Sequence, residues 1–187
     1  FIENAKSEDA INFIKSTIIG NYISIENSKS DAIDSDNSLL RITNIRCSKI
    51  GNDCLDMSYS SGEITNLDAA NVNDKVLSLG EISTLNIKNL NAKSSEIGIA
   101  SKDSSILNLN KYNYSNLKIP ILSFIKKKEF GVPVIKIENI YPYPSKNNLI
   151  SKDSVVSIGN KLLKGQLKSN KIKEKLYGNQ FGIKTVR

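Results

Sequence analysis

Asp31-Ala32-Ile33-Asp34, Asp53-Cys54-Leu55-Asp56 and Lys75-Val76-Leu77-Ser78 are three versions of one phrase, each 22 residues after the last. The phrase extends backwards to Asp9-Ala10-Ile11-Asn12 and forwards to Ile97-Gly98-Ile99-Ala100 and Ile119-Pro120-Ile121-Leu122. Its third position is a branched aliphatic every time: Ile11, Ile33, Leu55, Leu77, Ile99 and Ile121. A period of this kind marks a repeat architecture, in which one unit buries its apolar side only by stacking on the next.

Other columns keep the same step. Ile42 and Ile64 are followed, after a slip of one residue, by Ile87 and Leu109, and a further column runs Ile23, Ile45, Leu67, Leu90 and Tyr112. Small residues form another, Cys47, Ala69 and Ala92. Between columns, apolar residues alternate with Ser, Thr, Asn and Lys, as in Leu85-Asn86-Ile87-Lys88, which is the two-residue period of strands with one face inward. The expectation is an all-β, right-handed parallel β-helix of about six turns of 22 residues, each turn about 4.8 Å above the one before. Leucine-rich repeats have similar periods but need a fixed Leu-x-x-Leu-x-Leu and an Asn ladder, and neither is read in this chain.

Solenoids must close their ends, because a bare end exposes strand edges and core. The pattern dissolves at Lys126-Lys127-Lys128-Glu129-Phe130-Gly131, resumes at Val134-Ile135-Lys136-Ile137 and meets Tyr141-Pro142-Tyr143-Pro144. Beyond it, Val155-Val156-Ser157-Ile158 and Lys161-Leu162-Leu163 flank Gly159-Asn160, a hairpin turn. A short helix is predicted from about Ile172 to Tyr177, capped by Ser169 or Asn170 and ended by Gly178. Residues 1–147 are thus read as the β-helix and 148–187 as a C-terminal cap of hairpin and helix. The other end shows no comparable cap. A missing N-terminal part, or another domain or chain covering that end, is the expectation.

Composition excludes much chemistry. The chain of 187 residues has no His, so a Ser/His/Asp triad, a Cys/His dyad or a His-ligated metal cannot be built. Net charge is +7 and is uneven: residues 1–123 carry 12 basic and 15 acidic side chains, residues 124–187 carry 14 and 4. The lysines of the basic end lack the interleaved aromatics of a single-strand reader, so no nucleic-acid partner is expected. No apolar run is long enough for membrane insertion, and Phe1-Ile2-Glu3-Asn4 does not open an export signal. Cys47 and Cys54 make neither a CxxC pair nor a disulfide framework, and are read as small buried side chains.

One polar feature stands out. With Ile33 and Leu55 inward, Asp34 and Asp56 point outward one above the other, flanked by Asp31, Asp36 and Asp53. Like charges at strand spacing repel, and a cation, a lysine or a bound proton must compensate. The aspartates could bond turn N–H groups, or Asp31, Asp34, Asp36, Asp53 and Asp56 could hold a calcium ion, or Asp34, Asp53 and Asp56 could supply a general acid and base for glycoside cleavage. Lys75 and Lys102 are the nearby cations.

The succession Lys29-Ser30-Asp31-Ala32-Ile33-Asp34, Gly51-Asn52-Asp53-Cys54-Leu55-Asp56 and Asn73-Asp74-Lys75-Val76-Leu77-Ser78-Leu79-Gly80 resembles the active-site turns of polygalacturonases, in the pectin-lyase-like superfamily. Lys75 or a neighbour stands where that family has His, Asn52-Asp53 where it has Asp-Asp, and Ala100-Ser101-Lys102 where it has Arg-x-Lys. Over roughly 28–140 the chain is more similar to bacterial right-handed β-helix repeat regions. That resemblance rests on Ser30-Asp31-Ala32-Ile33-Asp34-Ser35-Asp36, Gly98-Ile99-Ala100-Ser101-Lys102-Asp103 and Lys127-Lys128-Glu129-Phe130-Gly131. Some such regions follow a CotH-type kinase-like domain in envelope or secreted proteins. The resemblance implies an extracellular or cell-envelope setting and gives no reaction; flat, polar, Asn- and Ser-rich faces, which suit sugar hydroxyls, lead to the expectation of a module that contacts polysaccharide or other surface molecules without catalysis. The alternatives are a polysaccharide hydrolase, lyase or epimerase, in which Lys75 or Lys102 binds a uronate carboxylate, and a structural fibre or surface-appendage subunit.

Overall fold

A computed structural model describes residues 1–144 and 147–178. The last residues of the expected cap, 179–187, lie outside the described residues. Two families of strands alternate along the chain. Long strands β3 (Thr17–Ser28), β5 (Leu39–Ile50) and β7 (Ser61–Val72) are separated by short β2 (Asp9–Ile14), β4 (Asp31–Asp36), β6 (Leu55–Ser58) and β8 (Lys75–Leu79). In β9 (Thr84–Lys102) and β10 (Ile106–Phe124) the long and the following short segment run on as one strand. The ends are β1 (Ile2–Glu3), then β11 (Val134–Tyr141), β12 (Leu149–Ile150), β13 (Val155–Ile158), β14 (Lys161–Leu163) and α1 (Ser169–Tyr177).

Every pairing between turns is parallel, and the result is a β-solenoid of about seven turns. The predicted columns are the observed registers. Ile11, Ile33, Leu55, Leu77, Ile99 and Ile121 are Cα partners in succession. So are Ile42, Ile64, Ile87 and Leu109. From Ile33 and Ile42 onward these residues are buried and form one continuous core. The sequence reading gave about six turns because the last one is out of step. Ile106 pairs with Val134, and the insertion at 125–133 breaks the period without breaking the stack.

Stacking also continues past 147: β12 pairs with β10, and β13 pairs with β11 before folding back as an antiparallel hairpin with β14. Gly159 takes the positive φ that the hairpin turn demands.

The corners explain the Asn- and Ser-rich composition. Left-handed backbone recurs once per turn at Asn4, Asn27, Lys49, Asn71, Ser94 and Asn116, and again at Lys15, Asn37, Tyr59, Glu81 with Ile82, and Asp103 with Ser104. Asn tolerates this conformation better than most residues. The one-residue slip sits at the second corner, where Glu81 and Ile82 both have positive φ and absorb the extra residue.

A buried serine follows most of those corners and receives the backbone N–H of the turn before. Ser38 Oγ accepts from Ser16 N at 3.0 Å, Ser60 Oγ from Ser38 N at 3.0 Å and Ser83 Oγ from Ser60 N at 3.2 Å. The expected lack of an Asn ladder is corrected too. Asn66 donates to Asn44 at 2.8 Å and Asn89 to Asn66 at 2.9 Å, which satisfies amides that the bend would otherwise leave unpaired.

Tyr112 stands in an aliphatic column between Leu90 and Ile140, and its burial needs a partner and a space. Its hydroxyl donates to Pro120 O at 2.9 Å. Gly98 supplies the space, since a Cβ there would lie 1.8 Å from the Tyr112 oxygen.

The cysteine expectation is also corrected. Cys47 and Cys54 form a disulfide, with Cα atoms 5.9 Å apart. Cys47 does stack on Ala69 and Ala92 as a small residue should. The tight corner at Lys49, together with Gly51, folds the seven-residue separation back on itself. A Cβ at Gly51 would meet Lys29 O at 1.9 Å, so only glycine lets the corner close.

The terminal helix differs in its start. Lys168, with no capping side chain, occupies the position expected for Ser169 or Asn170. Ser169 Oγ instead accepts the Ile125 N–H at 3.0 Å, which ties the helix to the end of β10. Gly178 ends the helix as predicted, its N–H bonded to Glu174 O.

Candidate functional site

The outward column that carries Asp34 reads Asn12, Asp34, Asp56, Ser78, Ala100 and Leu122 from one end to the other. It passes from polar to apolar, and α1 covers the apolar half. Ile172 packs with Ile97, Ala100, Leu122 and Phe124 as a second, smaller core. The acidic half remains uncovered by the helix.

Within that acidic half the aspartates have different partners. Asp31 Oδ1 accepts Asp53 N and Asn52 Nδ2, both at 2.7 Å. Asp53 Oδ1 accepts Lys75 N at 2.9 Å. Each carboxylate thus holds the backbone of the next turn at its corner. Asp103 repeats the device, accepting Lys126 N at 2.6 Å and Lys127 N at 2.8 Å, while its other oxygen is buried without a partner among the described residues.

Asp53 and Lys75 are 2% and 7% exposed and form an ion pair, Nζ to Oδ1 3.2 Å, with Asp74 on the same ammonium. Burial works against the Lys75 charge, and Asp53 with Asp74 more than offsets it, holding the ammonium above the ordinary lysine range. Burial pushes the Asp53 carboxyl up, against the pull of Lys75. A pair this enclosed is costly to break and poorly placed to meet a polymer.

Asp34 is the carboxylate whose charge is not matched. Burial pushes it up to about 7, helped by repulsion from Asp36, Asp56, Asp9 and Asp31. It accepts a hydrogen bond from the Asn12 amide at 3.3 Å. Lys75 compensates Asp53, backbone and amide donors hold Asp31, and the raised pKa of Asp34 favours its neutral form.

Among the described residues no group of three or more His, Cys, Asp or Glu side chains is arranged to hold a metal ion. Asp31, Asp34, Asp36, Asp53 and Asp56 are therefore not gathered into one calcium site.

The cations gather at the border of the helix. Lys102 is 6% exposed and donates to Ser78 Oγ at 2.8 Å. Burial and the charges of Lys102 and Lys75 hold the Lys126 ammonium below the ordinary lysine range, and it lies 5.8 Å from the centre of the Tyr177 ring. Lys127 pairs with Glu81, which also accepts from Ser58 at 2.7 Å.

The sequence reading did not find the grooves on the outer face of the long strands. One is an open channel of about 510 Å³ whose walls are two outward columns, Arg46–Asp68–Asn91–Asn113 and Ser48–Ala70–Lys93–Ser115. Cys47, Ala69 and Ala92 form its floor and Tyr141 its end. A second channel, about 560 Å³, lies over Arg41, Glu63, Asn86, Lys88 and Asn108. The signal was in the sequence as polar residues two places apart on either side of the small column.

No protein-family model, curated protein or solved structure matches this chain. The chemistry of the surface therefore carries the functional argument. The short-strand face offers carboxylates spent on corners and an internal ion pair. The long-strand face offers amides, hydroxyls and cations without a partner among the described residues, in open channels that run with the stack.

Proposed function

We propose that this solenoid is a non-catalytic polysaccharide-contacting module of an extracellular or envelope protein. The observation that carries the reading is the pair of polar channels on the long-strand face, with side-chain ladders one turn apart. Successive turns repeat about every 4.8 Å, a step comparable to one pyranose, so a linear glycan laid along the axis meets an equivalent set of donors at each sugar. Asn amides and Ser hydroxyls suit sugar hydroxyls, and exposed Tyr22 and Tyr141 supply aromatic faces. The buried cystine Cys47–Cys54 supports the setting, since structural disulfides persist in oxidising compartments.

One observation favours hydrolysis, lyase or epimerase chemistry as a second reading. Asp34 keeps its proton near neutrality beside Asp56 on the next turn, as a general acid would. Asp53 and Lys75 do not join it, being occupied with each other.

The test is to incubate the full chain with acidic and neutral polysaccharides, with and without chelator, and to measure both binding and new reducing ends. Binding without cleavage supports the module. Cleavage that an Asp56→Asn variant loses would overturn it in favour of the enzyme.

A further inference from the structure

The channel ending at Tyr141 contains a charge arrangement that its own fold does not use. Arg46 and Asp68, like Arg41 and Glu63 in the second channel, are Cα partners on adjacent turns, a favourable place for a cross-strand ion pair, yet no ion pair joins them. Asp68 turns the other way and accepts Asn91 Nδ2 at 2.6 Å, and Asn91 in turn accepts Asn113 Nδ2 at 2.9 Å. The carboxylate is held by a relay of amides. Arg46 is left with its guanidinium exposed and without a hydrogen bond or ion pair among the described residues.

Lys93 repeats the situation on the opposite wall. It is exposed, and its ammonium has no partner among the described residues. Two exposed lysines on the long-strand face are paired across turns, Lys49 with Glu26 and Lys118 with Glu96. Arg46 and Lys93 share this lack of a partner, among the described residues, with Arg41, Lys88, Lys111 and Lys136, and they are the two that line the channel ending at Tyr141.

Arg46 and Lys93 are two turns apart, about 10 Å along the axis, and stand on either side of the floor. Tyr141, 76% exposed, closes the far end with an accessible ring face. Two uncommitted cations at that spacing, an amide relay between them and an aromatic end describe a site for a chain that bears an anionic group on every second unit. Guanidinium is the side chain best shaped for such a group, since it grips a carboxylate or sulfate with two parallel hydrogen bonds.

We infer that this channel binds an acidic linear polysaccharide along the solenoid axis, with its anionic groups on Arg46 and Lys93 and a sugar face on Tyr141. The inference rests on the polysaccharide-contacting reading and adds the place and the ligand class. The surface it uses is a different face of the solenoid from the aspartate ladder.

The experiment titrates the full chain with a polyuronate, with dextran sulfate and with neutral dextran, at low and at moderate salt. Three proteins are compared: the unaltered chain, the Arg46→Ser/Lys93→Ser double variant, and a Lys161→Ser/Lys164→Ser double variant that removes the same charge from the hairpin. Expected is a loss of at least tenfold in affinity for one or both acidic polymers in the first variant, with a shallower salt dependence, and a change within twofold in the second. The two acidic polymers separate a carboxylate ligand from a sulfate ligand.

Equal losses in both variants would mean diffuse attraction by net charge and would overturn the inference. So would undiminished binding of an acidic polymer by Arg46→Ser/Lys93→Ser, although the module reading would survive. Failure of the unaltered chain to bind any of the polymers would remove the module reading itself. A Tyr141→Ala variant with full affinity would refute the placement of the sugar at that end.

Discussion

Replacing Asp34 with Asn should stabilise the solenoid at neutral and basic pH and leave it unchanged in acid. In the folded chain Asp34 is half-buried, faces Asp56 in register on the next turn and has its pKa pushed up to about 7. Unfolded, it titrates near the ordinary 3.8. Below the unfolded value both states hold the proton and the carboxyl costs nothing. As pH rises from about 4 to about 7 the unfolded chain gives up its proton first, so the folded state binds more protons and stability falls. The loss is complete above the folded value.

At 1.36 kcal/mol per pH unit that separation corresponds to about 4 kcal/mol. Solvent around a half-buried group screens part of it, and about 2 kcal/mol is the expected net cost. Asn has the same shape, carries no charge and can still meet the Asn12 amide. The variant should therefore gain about 2 kcal/mol at pH 8, a rise in melting temperature of about 4–8 °C for a chain of this size, and nothing at pH 3.5. Thermal and urea melts followed by circular dichroism at both pH values are the assay. An equal gain at pH 3.5 and pH 8 would show that strand preference and not charge is responsible, and no gain at pH 8 would refute the repulsion.

Gly98→Ala should destabilise the chain by about 3 kcal/mol, because the added methyl meets the Tyr112 hydroxyl and Pro120 O. Adding Tyr112→Leu should recover only part of this in urea melts, since the Pro120 contact remains. A Cys47→Ala/Cys54→Ala double variant should lose about 2 kcal/mol, the value for a short closed loop. Thiol titration of the denatured, unreduced chain should find no free thiol, and two per chain would contradict the cystine.

The inward half of the structure was legible because stacking turns repeat one environment. A side chain that faces the core beneath Ile33 must suit the space above Leu55, so the aliphatic columns appear in the sequence at the period of the coil. Even the slip between Ile64 and Ile87 was visible, and the corner at Glu81–Ile82 is where it is taken up. The candidate site was legible only in part. Asp34 over Asp56 follows from the register of their aliphatic neighbours, but the partners of Asp31, Asp53 and Lys75 depend on which way each corner turns. The cystine was missed for the same reason: seven residues say little about distance until the left-handed turn at Lys49 brings the two Cα atoms together.

What the sequence determined by itself is the coil: its period, its core columns, its hairpin and the stop of its final helix. Those are local patterns repeated against themselves, and hydrophobic burial makes them collective. What only the tertiary structure decided is how the polar groups were distributed. Whether an outward carboxylate holds a backbone, a lysine or a proton, whether Arg46 meets Asp68, and where the helix lies down are questions of direction and distance. Period alone carries no information about them, because a polar side chain on the outside is free to choose among partners that the chain brings near only once it has coiled.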